Sequence, residues 1–180
     1  MNASALIEPE KAVASSRSAD ATQPGPCGPG VYEWRFAQTP DPQLPADALL
    51  YVGIAPRRMA TRTSRQNLRT RIRYHYRGYA EGSTLRLTLG CLLGLELRRA
   101  GSGRRPTFGP DGERELSAWM AENAHVSWLQ HPEPWLAESE LIAQLDLPLN
   151  LDQNRGHPFH HYLSGLRASA RVRARQLPIT

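Results

Sequence analysis

Lysine is nearly missing from this 180-residue chain: Lys11 stands alone against twenty-one arginines. Cysteine is almost as scarce. Cys27 and Cys91 form no CxxC pair, which excludes a disulfide framework and a cysteine zinc site and points to a reducing compartment. Long apolar runs are absent too. The most hydrophobic segment, LTLGCLLGLEL at 87–97, is too short to span a bilayer, and the first twenty residues lack a basic start followed by an apolar stretch. A soluble, cytoplasmic protein that does not engage a membrane is therefore expected. No internal repeat is visible.

What is present is positive charge. The net charge is +5 and the pI about 9.7. No acid occurs between Asp47 and Glu81, and the tail from Gln153 onward holds five arginines and no acid. The planar arginine fork pairs with phosphate in a bidentate way, so the bias suits a polyanionic partner. A GC-rich genome, which favours arginine codons, accounts for it equally well.

At this length one domain with a substantial core is the default. Residues 1–26, rich in Ala, Ser, Pro and Gly, read as a flexible arm or at most a short helix, with the domain at 27–152 and a basic, helical extension packed on or beside it at 153–180. In GVYEWRFA, 30–37, aromatic and charged residues alternate with the period of a half-buried strand. The proline-rich segment 38–48 is an extended loop, and LLYVGIA, 49–55, a second strand, so an antiparallel pair is expected. Helices are predicted from Asn67 to Tyr76 or Arg77, after the good N-cap Ser83 through TLRLTLGCLLGLELRR, over ERELSAWMAEN and over PWLAESELIAQLD. HVSWLQH supplies a third strand, and GSGRRPTFGPDG reads as a turn region. The fold class is α+β, with three short strands and helical material after each.

Two helices carry polar groups on their apolar faces. In the first, Leu68, Ile72, Tyr76 and Tyr79 define an inward stripe that contains Arg71 and His75. Arg69, Arg73 and Arg77 run along a different face. An inward arginine is costly unless paired, so Arg71 and His75 are expected to line a cleft. In the helix at 135–145, Leu141, Ile142 and Leu145 form the stripe and Glu138 falls on it, while Glu140 lies about 200 degrees around the helix and reads as solvated. Each has a bland account. A glutamate near a helix start complements the dipole, an inward Arg and Glu can form a simple ion pair, and strand tyrosines can be ordinary core. Their convergence is the inventory of phosphodiester chemistry.

GVY at 30–32 and YVG at 51–53 resemble the two halves of the GIY-YIG signature, found in homing endonucleases, some type II restriction enzymes and a nucleotide-excision-repair nuclease. Arg71 and His75 in NLRTRIRYHY match the helical arginine and the histidine or tyrosine four residues on; Glu138 and Asn150, twelve apart, match the glutamate and asparagine that follow. The resemblance covers roughly 28–152. Two features depart from it. The loop between the half-signatures is longer than in the repair enzymes, and the basic loop 57–66, after the second half, also looks inserted. Ile54 stands where repair-type members often carry a lysine, so that lysine's proton-transfer role is absent or falls to His75.

The resemblance implies the GIY-YIG nuclease fold, a small three-stranded antiparallel sheet flanked by helices, and one-metal hydrolysis of nucleic acid. Glu138 would hold Mg2+ or Mn2+, Tyr32 would activate or orient water with Tyr51 or His75 assisting, Arg71 would stabilise the phosphate, and Asn150 would brace the site or position the glutamate and backbone. A phenol with pKa near 10 is a poor base unless positive charge lowers it. Beside such a site Arg57, Arg58, Arg62, Arg65, Arg69, Arg73, Arg77 and Arg155 are candidates for nucleic-acid backbone contact, and the tail arginines for a second patch. Double-stranded DNA is the expected partner, with a homodimer or partner protein supplying specificity. An RNA-cleaving nuclease or toxin and a non-cutting nucleic-acid-binding module are the alternatives. His157, His160 and His161 have no carboxylate at convincing metal-ligand spacing and read as tail or groove residues.

Overall fold

The structure, a computed structural model, describes residues 14–16, 26–56 and 66–180. Its centre is a three-stranded antiparallel sheet in the order β6-β2-β3, from β2 (Gly30–Phe36), β3 (Leu49–Ala55) and β6 (Ala124–Gln130). A short strand, β1 (Ala14–Ser16), adds antiparallel to the free side of β6; it falls where composition suggested an arm or a short helix. Side chains alternate across β2 and β3 as the pleat requires. Tyr32, Trp34, Phe36 and Tyr51 enter the main core on one face, while Val31, Val52 and Ile54 pack on the other.

Helices cover both faces. On the first, α1 (Leu68–Arg77) lays Leu68, Ile72 and Tyr76 into the main core together with α2 (Thr84–Leu92) and α3 (Gly109–Asn123). On the second, α4 (Pro134–Gln144) contributes Ala137, Leu141 and Ile142. Helix α5 (Pro158–Gln176) lies against α2, burying Leu163, Arg167, Ala170 and Ala174. Helix α1 starts at a capping box: Asn67 Oδ1 accepts the Thr70 N–H at 2.9 Å, and Thr70 Oγ1 accepts the Asn67 N–H at 3.1 Å. Among the described residues no helix is long and apolar enough to cross a membrane.

Three expectations need correction. The leucine pattern from 84 to 99 is not one helix: α2 stops at Leu92, Gly94 turns the chain at φ +76°, and Arg98–Ala100 (β4) pairs with Arg105–Thr107 (β5). A left-handed residue ends a helix, and leucine spacing alone does not record it. Helix α3 begins at Gly109 with Pro110 in its first turn, where a missing N–H costs nothing, so the supposed turn residues GPDG are helical. Tyr79 lies beyond the end of α1 and is 56% exposed, not inward.

The helices on the first face are joined by one buried ion pair. Arg86 of α2 is wholly buried, and all five of its N–H donors are used. Nε and one Nη2 proton go to Glu113 Oε2 at 3.3 and 2.8 Å, and the other Nη2 proton to the Glu113 carbonyl at 2.9 Å. Nη1 donates to the His75 and Tyr76 carbonyls at 3.0 Å each. These are the carbonyls that the end of α1 leaves open. Glu113 Oε1 in turn accepts the backbone N–H groups of Ala80 and Phe108 and the Thr107 hydroxyl. Removing one partner strands the other charge in a dry interior, so Glu113→Ala should lower unfolding free energy by about 3–5 kcal/mol, read from urea denaturation.

Candidate active site

Tyr32 sits opposite Gly53 on β3 and Trp128 on β6, with its ring lying across the neighbouring strand. That placement explains the glycine of YVG. A Cβ at position 53 would fall 2.5 Å from the Tyr32 hydroxyl oxygen and 2.7 Å from Cζ. From the facing helix, Arg71 and His75 come one turn apart onto Tyr32: His75 Nε2 is 2.8 Å from the phenolic oxygen, and Arg71 Nε donates to it at 3.4 Å. His75 Nδ1 lies 2.7 Å from Ser83 Oγ. The imidazole is ringed by aromatics, with centroids 5.3 Å from Tyr32, 5.8 Å from Trp34 and 6.4 Å from Tyr51.

The pair expected to line a cleft is largely dry: Arg71 is 7% exposed and His75 0%. Arg71 Nη1 donates to the Gly82 carbonyl at 2.8 Å, which pins the guanidinium at one end, whereas its buried Nη2 has no partner among the described residues. A charged donor held in place with open capacity is what an anion would complete. Tyr76, by contrast, donates to the Ala124 carbonyl at 3.1 Å, and burial raises its pKa far above the usual tyrosine value, so it stays a neutral structural phenol.

Asn150 is buried and occupied by the backbone of Val52. Its Oδ1 accepts the Val52 N–H at 2.9 Å and its Nδ2 donates to the Val52 carbonyl at 2.8 Å, while Leu149 N–H donates to the Leu50 carbonyl at 3.0 Å. Both contacts fix the strand beside Tyr51. Glu138 is half-buried on α4, which packs over β3 and β2 from the other side, and Glu140 is exposed. The structure thus gathers Tyr32, Arg71, His75 and Tyr51 on one face of the sheet and fastens Asn150 to the strand of Tyr51, whereas Glu138 stands on α4, which packs over the opposite face.

No three His, Cys, Asp or Glu side chains converge on one point among the described residues. The resemblance implies Glu138 as the carboxylate for a divalent ion; a site with one carboxylate would leave the remaining positions to water and phosphate oxygens, which Mg2+ accepts.

Arg69, Arg73, Arg77 and Arg155 are exposed, and Arg57, Arg58, Arg62 and Arg65 lie outside the described residues. The tail arginines are not one solvated patch. Arg167 is buried, with Nη1 donating to Thr88 Oγ1 at 3.3 Å, and burial lowers its pKa. His157 caps α5, its Nδ1 accepting the Phe159 N–H at 3.0 Å while Nε2 meets Asp146. Sequence reasoning missed two residues that bear on the site. Arg86 falls three positions before Leu89 on the apolar stripe of α2, the same signal that marks Arg71. Ser83 was legible as an N-cap, but its contact with His75 spans a turn that carries no periodic signal.

Residues 30–169 match the family model described as the GIY-YIG catalytic domain. Comparison with curated proteins and with solved structures returns no match.

The Asn150 clamp leads to a direct expectation. Asn150→Ala leaves both polar groups of Val52 buried without partners, each worth about 1–3 kcal/mol, so thermal and urea denaturation should register a loss of roughly 2–6 kcal/mol.

Proposed function

The chain belongs to the GIY-YIG family, whose catalytic domain implies a nuclease-type phosphodiester hydrolase, and from that premise we propose a divalent-metal-dependent endonuclease acting on double-stranded DNA. The observation that carries the site assignment is the buried contact of Tyr32, Arg71 and His75, with no partner for Arg71 Nη2 among the described residues. A phosphate oxygen is an acceptor that would complete that guanidinium by charge-assisted hydrogen bonds.

Each role follows from chemistry at a named atom. The Tyr32 oxygen, faced by two nitrogen groups, orients the attacking water; N–H donors directed at a phenolic oxygen favour its anionic form and so its capacity to take a proton. Arg71 binds the scissile phosphate and meets the charge that develops on it. Asn150 keeps β3, and with it Tyr51, in register. Glu138 would hold the Mg2+ or Mn2+, and the chemistry supplied there is neutralisation of charge on a phosphate oxygen and on the leaving oxygen.

The exposed arginines of α1, four residues apart, form a row suited to phosphates along a duplex, and Arg155 lies in the basic tail. The basic helix α5, seated on α2, serves in this reading as an extension of the nuclease domain. One site per chain cuts both strands by sequential nicking or by pairing with a second copy.

Supercoiled plasmid incubated with Mg2+ and with EDTA tests the reading, with duplex RNA and single strands alongside. Wild-type protein should nick or linearise plasmid only with the metal, Glu138→Gln should abolish this, and Glu140→Gln should retain at least about half the rate, as removal of an exposed charge away from the site predicts. Arg71→Ala should lower the turnover rate by about 10²–10³-fold, the usual loss for one transition-state donor. Undiminished cutting by Glu138→Gln would remove the metal assignment, and cleavage of RNA but not of DNA would replace the substrate.

A further inference from the structure

Tyr74 is an aromatic of α1 outside the family signature, and its ring lies where two glycines make room for it. A Cβ at Gly78 would fall 2.6 Å from Cδ1 and Cε1 of Tyr74, and one at Gly82 would fall 2.5 Å from Cζ and nearer still to the hydroxyl oxygen. Carbon atoms in contact stand about 3.5–4.0 Å apart, so the ring keeps this seat only while both positions lack a side chain. Gly53 seats Tyr32 in the same way. Tyr74 is half-buried, and its hydroxyl has no hydrogen-bond partner among the described residues.

Gly82 joins that phenol to the site. Its carbonyl accepts Arg71 Nη1 at 2.8 Å, so the Tyr74 hydroxyl and the Arg71 guanidinium meet on one residue, and Arg71 Nη2 is buried without a partner among the described residues. Helical phase agrees. At about 100 degrees per residue, Tyr74 stands about 60 degrees around α1 from Arg71, on the side of Arg77 and Arg73, between the buried site and the exposed arginine row. We infer that Tyr74 is a substrate-binding residue whose hydroxyl donates a hydrogen bond to the same phosphate that Arg71 Nη2 contacts. That the phosphate belongs to a nucleic acid rests on the proposed function; the pairing of phenol and guanidinium around an anion does not. Both donors are held at one glycine before the ligand arrives, which spares the ordering cost of binding.

A ring that merely covered the turn would be replaced without loss by phenylalanine, so the test is full-length Tyr74→Phe, which keeps the ring on its glycines and removes only the hydroxyl. Its affinity for duplex DNA, measured by fluorescence anisotropy in EDTA so that nothing is cut, should fall about tenfold, the effect of one hydrogen bond to a charged group. The thermal midpoint should match that of wild type. Equal affinity for the duplex overturns the proposal and leaves the endonuclease reading intact. A clearly lowered midpoint assigns the hydroxyl to the fold and also overturns it. Where wild-type protein binds no duplex, the endonuclease reading falls, and inorganic phosphate, followed by the 15N shift of the Gly82 amide, becomes the probe. The same tenfold loss in Tyr74→Phe then upholds the anion site; equal affinity, or no uptake of phosphate by wild type, overturns it.

Discussion

The bond between Arg86 and Glu113 is the constraint on which the rest of the molecule depends. It closes the open carbonyls of α1 from one side and collects the 3-10 turn at Ala80–Gly82, the β5 end and the start of α3 from the other. A buried pair of this kind repays its desolvation only when every donor and acceptor is matched, and here all five guanidinium protons are. One of those carbonyls belongs to His75. The backbone of the histidine facing Tyr32 is thus gripped by a residue of another helix, and the Ser83 cap three residues before Arg86 meets the same imidazole through its side chain. Backbone and side chain of one histidine are held from a single helix start.

Around that ring the sheet supplies complementary shape. Gly53 leaves room for the Tyr32 ring to lie across β3, and Trp34 closes the floor beneath His75. Arg71 is held at its Nη1 end and open at Nη2, so the guanidinium is oriented before any ligand arrives. Sites that work by electrostatics gain from such order, because nothing need reorganise as charge develops.

How much of this was legible varies by element. The β2 and β3 alternation, the α1 stripe with Arg71 and His75 on it and the inward bias of Glu138 relative to Glu140 come directly from periodicity, since burial on one face imposes a regular spacing. The end of α2 was not legible because its leucines keep nearly helical spacing across Gly94, and only the left-handed backbone there breaks the helix. The β4–β5 hairpin was hidden in a segment dense in Gly and Pro. The Glu113 partnership and the Asn150 clamp are contacts between residues far apart in sequence; the resemblance suggested that Asn150 braces the site or positions the glutamate and backbone, but not which strand it holds. The dryness of the His75 pocket was also missed, because a polar side chain on an apolar stripe does not reveal whether water reaches it.

The amide of Asn150 presents one donor and one acceptor in the spacing of a peptide unit, and with the Leu149 N–H it takes up backbone groups along the outer side of β3. It therefore does the job of a neighbouring strand without being one. An exposed strand flank is a template on which another chain can add, and such growth ends in aggregation. With the Val52 groups and the Leu50 carbonyl occupied by the chain itself, the middle of that flank is closed to an added strand.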